Sequence, residues 1–155
     1  MNAGDVVAVA LWIGVIAYAV FGGADFGAGF WDLVAGGATR GERPRALIDH
    51  ALAPVWEANH VWLIYCLVVL WTAFPRAFTA IMTVLAVPLV LAAFGIVLRG
   101  AGFAFRKVSV DVPRRRFYGA AFAASSVITP FAMGTIAGAV ASGRVHVDAR
   151  SDHLT

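Results

Sequence analysis

The sequence predicts an all-α integral membrane protein that folds as a four-helix bundle. Apolar residues make up 61% of the chain and charged residues only 14%, whereas about a quarter of the residues in a soluble domain are charged. Four apolar stretches are each about 20 residues long, which is the length a helix needs to cross a hydrocarbon core of about 30 Å. In a chain of 155 residues these stretches leave only short loops, so we expect a single membrane domain over residues 1–155.

The first span is predicted at residues 6–26. It does not resemble a cleaved signal peptide, because Asp5 is the only charge before it and its apolar stretch is too long. The span ends in a glycine-rich segment, residues 21–32, that contains Asp25. Glycines let helix backbones approach closely in lipid. No strand is predicted before them, so they do not indicate a dinucleotide-binding loop.

The second span, residues 56–74, begins with polar side chains. A short interfacial helix is predicted before it, at about residues 45–53, and Pro54 suits the start of a new helix. Glu57, Asn59 and His60 then precede the apolar stretch that begins at Val61. A carboxylate at the centre of a membrane helix costs roughly 2.5–3.5 kcal/mol. We therefore treat Glu57 as a candidate functional residue.

The third and fourth spans are predicted at residues 77–98 and 117–141. Pro88 is expected to kink the third span. Arg99 ends that span, either as an anchor that reaches the membrane surface or as the partner of a buried carboxylate or a polar ligand head. In the fourth span, the spacing of Gly134 and Gly138 predicts a close helix contact.

Basic residues predict the orientation of the chain in the membrane. Arginines and lysines are concentrated between spans one and two and between spans three and four: Arg40, Arg43, Arg45, Arg99, Arg106, Lys107, Arg114, Arg115 and Arg116. Cytoplasmic loops carry such an excess, so we expect the first and third loops in the cytoplasm and the N-terminus outside. The same residues account for the net charge of +3. They indicate contact with membrane lipid and no nucleic-acid partner.

The polar residues of span two suggest two different roles. Glu57 and His60 are three residues apart and share one helix face, while Asn59 points elsewhere. A carboxylate and an imidazole on one face can pass a proton, as in membrane proton relays, or they can clamp neighbouring helices. The residue types leave both roles open. Asp25 could line one entry path with Glu57, or it could be solvated at a helix end or paired with a loop arginine.

A metal or haem site is not predicted in this chain. The Glu57-x-x-His60 spacing occurs in helix-bundle metal sites, but those need a second such motif and further glutamates. His50, His60, Met82 and Met133 are conceivable haem ligands, yet no diagnostic haem-attachment motif is present. We therefore expect no cofactor bound by this chain alone.

Four ordered motifs resemble those of subunit II of the cytochrome bd-type quinol oxidases. The first two are residues 23–29 (GADFGAG) and 54–63 (PVWEANHVWL), and the others are residues 74–75 (FP) and 99–106 (RGAGFAFR). The resemblance runs from about residue 10 to residue 140. Ala24 stands where the family often has an aromatic residue, Glu57 where some members have aspartate, and His60 where some have glutamine.

The resemblance implies one four-helix half of the oxidase subunit fold, in a bacterial inner (plasma) membrane. The complex that it implies oxidises quinol from the quinol pool and reduces dioxygen to water with protons from the cytoplasm. Haem-bearing subunit I would be the partner and would carry the haems, b and d or all b-type. Subunit II would bind no haem, would not be active alone and would support assembly.

Residue roles follow from the same resemblance. Asp25 and Glu57 are implied as proton-path candidates, which favours the relay over the clamp for Glu57. The implied supporting residues are Trp56, Asn59, His60 and Arg99.

A complete subunit II has eight or nine spans, so we expect an N-terminal half or a truncated form. Two alternatives to the oxidase role stay open. One is a non-catalytic assembly scaffold, and the other is half of an unrelated membrane transporter.

Overall fold

The computed structural model describes residues 2–37, 40–108 and 112–146, which form five helices and no strand. The helices are α1 (Ala3–Val34), α2 (Glu42–Ala73), α3 (Pro75–Val84), α4 (Ala86–Val108) and α5 (Val112–Ala141). Four segments are long and apolar enough to cross a membrane: Ala3–Val34, Glu42–Ala73, Ala86–Phe105 and Phe117–Ala141. The predicted all-α membrane fold is therefore confirmed.

Some residues used for the orientation lie outside this description. The side chains of Arg106, Lys107, Arg115 and Arg116 are not among those described, and neither are residues 147–155. The predicted third loop is instead largely helical, as the end of α4 and the start of α5.

The helices pack as two hairpins joined along one side. α1 packs along α2, α4 packs along α5, and contacts between α1 and α5 join the two pairs. Large apolar side chains such as Trp12, Val87 and Phe131 are exposed, while small and polar residues are buried between the helices. This distribution suits a membrane, because lipid solvates large apolar side chains and small residues let the helices approach.

The α1–α2 hairpin is closed by Arg45. Its Nη2 donates to the main-chain oxygen of Gly36 at 2.6 Å, and its Nε lies 3.4 Å from Asp32 Oδ1. Gly36 has a φ of +92°, which glycine adopts without the steric cost that other residues meet. Arg45 thus ties the loop to the last turns of α1.

Residues 45–53 form the first part of α2 and are continuous with the second span. The sequence predicted a separate interfacial helix that ends before Pro54. Pro54 removes one backbone donor, which would otherwise bond the main-chain oxygen of His50 four residues earlier. Membrane helices tolerate that loss where neighbouring groups satisfy the backbone, so the helix continues through the proline.

The third span is broken at Leu85, which separates α3 from α4. Pro88 disrupts the helix four residues upstream of itself, because its ring clashes with the carbonyl at Val84. Leu85 has φ −106° and ψ 25° and still donates its N–H to Ile81. The kink expected from Pro88 therefore lies at Leu85, next to the Val84 carbonyl with which the proline ring would clash.

The close helix contacts are made by glycines other than Gly134 and Gly138. Both of these are exposed, and nothing lies within 4 Å of the position of an added Cβ. Our prediction of a close contact is therefore not met within the described chain. Gly102 does make one, since a Cβ there would lie 2.9 Å from the main-chain oxygen of Tyr118 in α5.

Candidate functional site at a buried ion pair

Asp25 of α1 and Arg99 of α4 form an ion pair in the interior of the bundle. Nη2 of Arg99 lies 2.6 Å from Oδ1 of Asp25, and Nε of Arg99 donates to the same oxygen at 3.1 Å. Each residue is only 1% exposed. A buried charge is tolerated when it is paired and hydrogen-bonded, and this pair satisfies both conditions.

Arg99 uses its remaining donors on two further groups. Nη2 also donates to the main-chain oxygen of Asp25, and Nη1 donates to Oγ of Ser126 in α5. The rings of Phe26 and Phe122 lie 5.1 and 4.4 Å from the guanidinium carbon, within the range of cation–π attraction. The guanidinium is therefore surrounded by acceptors and aromatic faces.

Asn59 connects α2 to the Asp25–Arg99 ion pair. Its Nδ2 donates to Oδ2 of Asp25 at 3.1 Å, and the residue is 5% exposed. Asp25 thus connects α1 directly to α2 and α4, and Arg99 extends the connection to α5 through Ser126. We call these four residues, Asp25, Asn59, Arg99 and Ser126, the ion-pair centre.

Gly29 makes room for the ion-pair centre, whereas Gly22 only contacts it. Gly22 and Gly29 are three and four residues from Asp25 and therefore share its helix face. A Cβ on Gly29 would overlap Ser126 and lie 2.7 Å from Nη1 of Arg99, and a Cβ on Gly22 would lie 3.4 Å from Oδ1 of Asn59. Gly23 faces open space, so only part of the glycine-rich segment serves this packing.

A small cavity adjoins the centre between α1, α2 and α4. Its volume is about 10 Å³, and its lining includes Tyr18, Asp25, Trp56, Asn59, His60 and Arg99. Two buried polar atoms at its wall, Tyr18 Oη and Asn59 Oδ1, have no hydrogen-bond partner. The cavity is therefore polar on one side and close to the size of a single water molecule.

Glu57 lies on a different face of α2 from the ion-pair centre. Both Glu57 and His60 are exposed, as their shared helix face predicts. The His60 ring stacks on Trp56 with centroids 6.0 Å apart, and both of these rings line the cavity, whereas Glu57 does not. The two proton-path candidates, Asp25 and Glu57, are therefore not brought into one cavity.

Sequence reasoning identified some parts of this site and missed others. The sequence left two roles open for Arg99, a surface anchor or a partner of a buried group. In the structure, Arg99 is the partner of a buried carboxylate. The partner of Asp25 is this helical arginine and not a loop arginine. Tyr18 and Ser126 were given no role, although each is a polar residue within a membrane span, which is itself a sign of function.

The four conceivable haem ligands do not meet at the ion-pair centre. His50 and His60 are exposed, Met82 and Met133 are partly exposed, and the cavity beside the ion-pair centre, at about 10 Å³, is far too small for a porphyrin. Among the described residues, no group of three or more His, Cys, Asp or Glu side chains could hold a metal ion. No step of a mechanism is assigned to a haem within this part of the chain.

Four membrane-length helices that converge on one buried Asp–Arg pair define a multi-pass membrane protein with a polar interior site. The family model of cytochrome bd terminal oxidase subunit II matches residues 3–154. The chain belongs to this family.

Three relatives illustrate the similarity. The chain is 27% identical over 135 residues to cytochrome bd-I ubiquinol oxidase subunit 2 of Escherichia coli (strain K12), covering 86% of this chain and 35% of the relative. It is 28% identical over 130 residues to cytochrome bd ubiquinol oxidase subunit 2 of Bacillus subtilis (strain 168), covering 81% and 38%. It is also 35% identical over 80 residues to a putative cytochrome bd menaquinol oxidase subunit II of the same strain, covering 50% and 22%. The chain thus spans between about a fifth and two fifths of the length of these relatives.

Proposed function

We propose that this chain acts as subunit II of a cytochrome bd-type terminal oxidase, which oxidises quinol and reduces dioxygen to water. The match to the subunit II family over residues 3–154 carries the proposal. Asn59 and Arg99 each bond Asp25 in the interior, which is consistent with the supporting roles that the resemblance implies for Asn59 and Arg99. The haem chemistry belongs to a partner subunit, and quinol is a substrate of the complex.

Within that role, we assign proton transfer to Glu57 and bundle support to Asp25. A relay residue must gain and lose protons, but protonation of Asp25 would leave the buried guanidinium of Arg99 without its counter-charge. Glu57 has no such constraint, because it is exposed on α2 beside His60. The Glu57 carboxylate is therefore accessible to a group on a partner subunit.

The depth of Glu57 supports the same assignment. It lies 16 residues before the end of α2 at Ala73, which corresponds to about 24 Å along the helix. A hydrocarbon core is about 30 Å thick, so Glu57 lies inside the core when Ala73 marks its far edge. A carboxylate that faces lipid there is costly. We infer that haem-bearing subunit I, or another part of the complex, covers the Glu57 face.

The proposed orientation has the α1–α2 loop in the cytoplasm of a bacterial cell and the N-terminus outside the inner membrane. Arg40 in that loop, with Arg43 and Arg45 in the first turns of α2, supports this orientation. Glu57 is midway along α2, but it then lies in the cytoplasmic half of a hydrocarbon core of about 30 Å that ends at Ala73, on the side where protons for oxygen reduction would enter. The path leads from the cytoplasm to Glu57 and His60, and from there to the haem-bearing partner.

A second candidate is a non-catalytic scaffold for the haem subunit. The ion-pair centre supports it, because Asp25, Arg99, Asn59 and Ser126 join all four spans. Both candidate functions require this chain for assembly of the complex. Only the proton-path function also requires the Glu57 carboxylate. Membership of the oxidase family argues against the unrelated transporter.

Co-purification tests the proposal. The chain carries an affinity tag at its own genomic locus, and the membrane is solubilised gently. We expect a haem-bearing subunit in the eluate, with haem absorbance and quinol-dependent oxygen consumption. An eluate that contains this chain without a haem protein contradicts the proposal.

A further inference from the structure

The cavity beside Asp25 is lined by two polar groups that lack hydrogen-bond partners. Tyr18 Oη and Asn59 Oδ1 are both buried and without a hydrogen-bond partner, and both residues line the cavity. A buried polar group without a hydrogen-bond partner destabilises the fold, so two such groups at one small cavity require an explanation.

The chemistry of the two atoms is complementary to one small molecule. The Tyr18 hydroxyl can donate a hydrogen bond, and Asn59 Oδ1 can only accept one. Asn59 is held in this orientation because its Nδ2 donates to Asp25 Oδ2 at 3.1 Å. A molecule that pairs both groups must donate to Asn59 Oδ1, and it can accept from the Tyr18 hydroxyl.

The volume and the charge of the cavity indicate that the bridging molecule is water. A volume of about 10 Å³ corresponds to about one water molecule. The adjoining charges of Asp25 and Arg99 compensate each other through a 2.6 Å contact, so the site has no excess charge that would attract an ion. A neutral donor–acceptor of minimal size fits these conditions.

We propose that Tyr18 and Asn59 hold one buried water molecule at the ion-pair centre, and that Tyr18 is a positioning residue for the proton path of subunit II. The water links Tyr18 through Asn59 to Asp25. His60 lines the same cavity and is three residues from Glu57 on α2, so the proposed path from the water to Glu57 runs by way of its imidazole. The proton-path part rests on the proposed function, whereas the water site does not.

A matched pair of tyrosine variants tests the proposal. Tyr18→Phe removes the donor at the cavity. Tyr65→Phe makes the same change where the hydroxyl donates to the main-chain oxygen of Ala10 at 3.2 Å, away from the cavity lining. Each variant is prepared in the assembled oxidase, and its structure is determined at a resolution that shows ordered water.

We expect a water density between Tyr18 and Asn59 in the unmodified complex and in Tyr65→Phe, and no density there in Tyr18→Phe. Quinol-dependent oxygen consumption should fall about fivefold in Tyr18→Phe, as the loss of one hydrogen bond implies, and its pH profile should shift. Tyr65→Phe should keep the original rate and profile.

A dry cavity in the unmodified complex overturns the water site, and this result does not depend on whether a variant assembles. Retained density in Tyr18→Phe also overturns it. Water that disappears without any change in rate or pH profile overturns the positioning role alone. Failure of the proposed function would appear instead as an active complex after removal of the Glu57 carboxylate, with the water still in place.

Discussion

Asp25 and Arg99 are 74 residues apart in the sequence, yet they form an ion pair with both residues only 1% exposed. The pair joins the first and third predicted spans. Asn59 and Ser126 connect it to the other two spans. This buried ion pair is therefore also the point where the four spans meet.

Removal of one member of this pair should destabilise the protein more than removal of both. Arg99→Met leaves the buried Asp25 carboxylate without a counter-charge, which should cost about 3–5 kcal/mol. The double variant Asp25→Leu/Arg99→Met has no unpaired charge and should recover much of that loss. The melting temperatures of the single and double variants in detergent measure the coupling. Additive losses in the double variant would mean that the two residues stabilise the bundle independently.

The contact between Gly95 and Thr129 predicts a suppressor mutation. A Cβ on Gly95 would overlap the Thr129 hydroxyl, while the Thr129 Cβ would remain 3.3 Å away. Gly95→Ala should therefore cost about 1–3 kcal/mol through overpacking. Thr129→Ala alone should change little, because Thr129 Oγ1 has no hydrogen-bond partner.

The double variant Gly95→Ala/Thr129→Ala should return close to the original melting temperature, because the overlapping hydroxyl is gone. The yield of folded protein from membranes provides a second measure. A double variant as unstable as Gly95→Ala would show that the clash does not arise from the hydroxyl.

The proposed orientation predicts which loops are accessible from each side of the membrane. Cys66 is the single cysteine of the chain, so Cys66→Ala provides a background for labelling. Arg43→Cys, in the first turn of α2, should react with an impermeant thiol reagent only in inside-out vesicles. Arg76→Cys, at the start of α3, should react in intact spheroplasts. Both positions are exposed in the structure. The reverse labelling pattern would invert the topology and place Glu57 near the outer surface.

The sequence was sufficient to predict the helices and spans approximately, because apolar length and composition determine which segments can cross a membrane. It did not predict that residues 45–53 join α2, since one proline removes only one backbone hydrogen bond. The break at Leu85 follows from Pro88, although its location depends on a carbonyl four residues away.

The site was less accessible to sequence reasoning. Helical spacing placed Glu57 and His60 on one face and Asn59 on another, as the structure has them. Spacing within one helix carries no information about which helix lies opposite. For that reason Asp25 could not be assigned to Arg99, and the hydroxyls of Tyr18 and Ser126 received no role.

Oxygen consumption by a Glu57→Gln complex tests the proposed proton path most directly. Glutamine keeps the size and polarity of the side chain but cannot carry a proton, and Glu42→Gln makes the same exchange at the exposed start of α2. We expect Glu57→Gln to assemble with normal haem content and to consume oxygen with quinol about 10- to 100-fold more slowly, since a positioned proton-transfer group contributes roughly 100-fold or more. Glu42→Gln should be fully active. Full activity of Glu57→Gln would contradict the proton path and leave this chain as a scaffold.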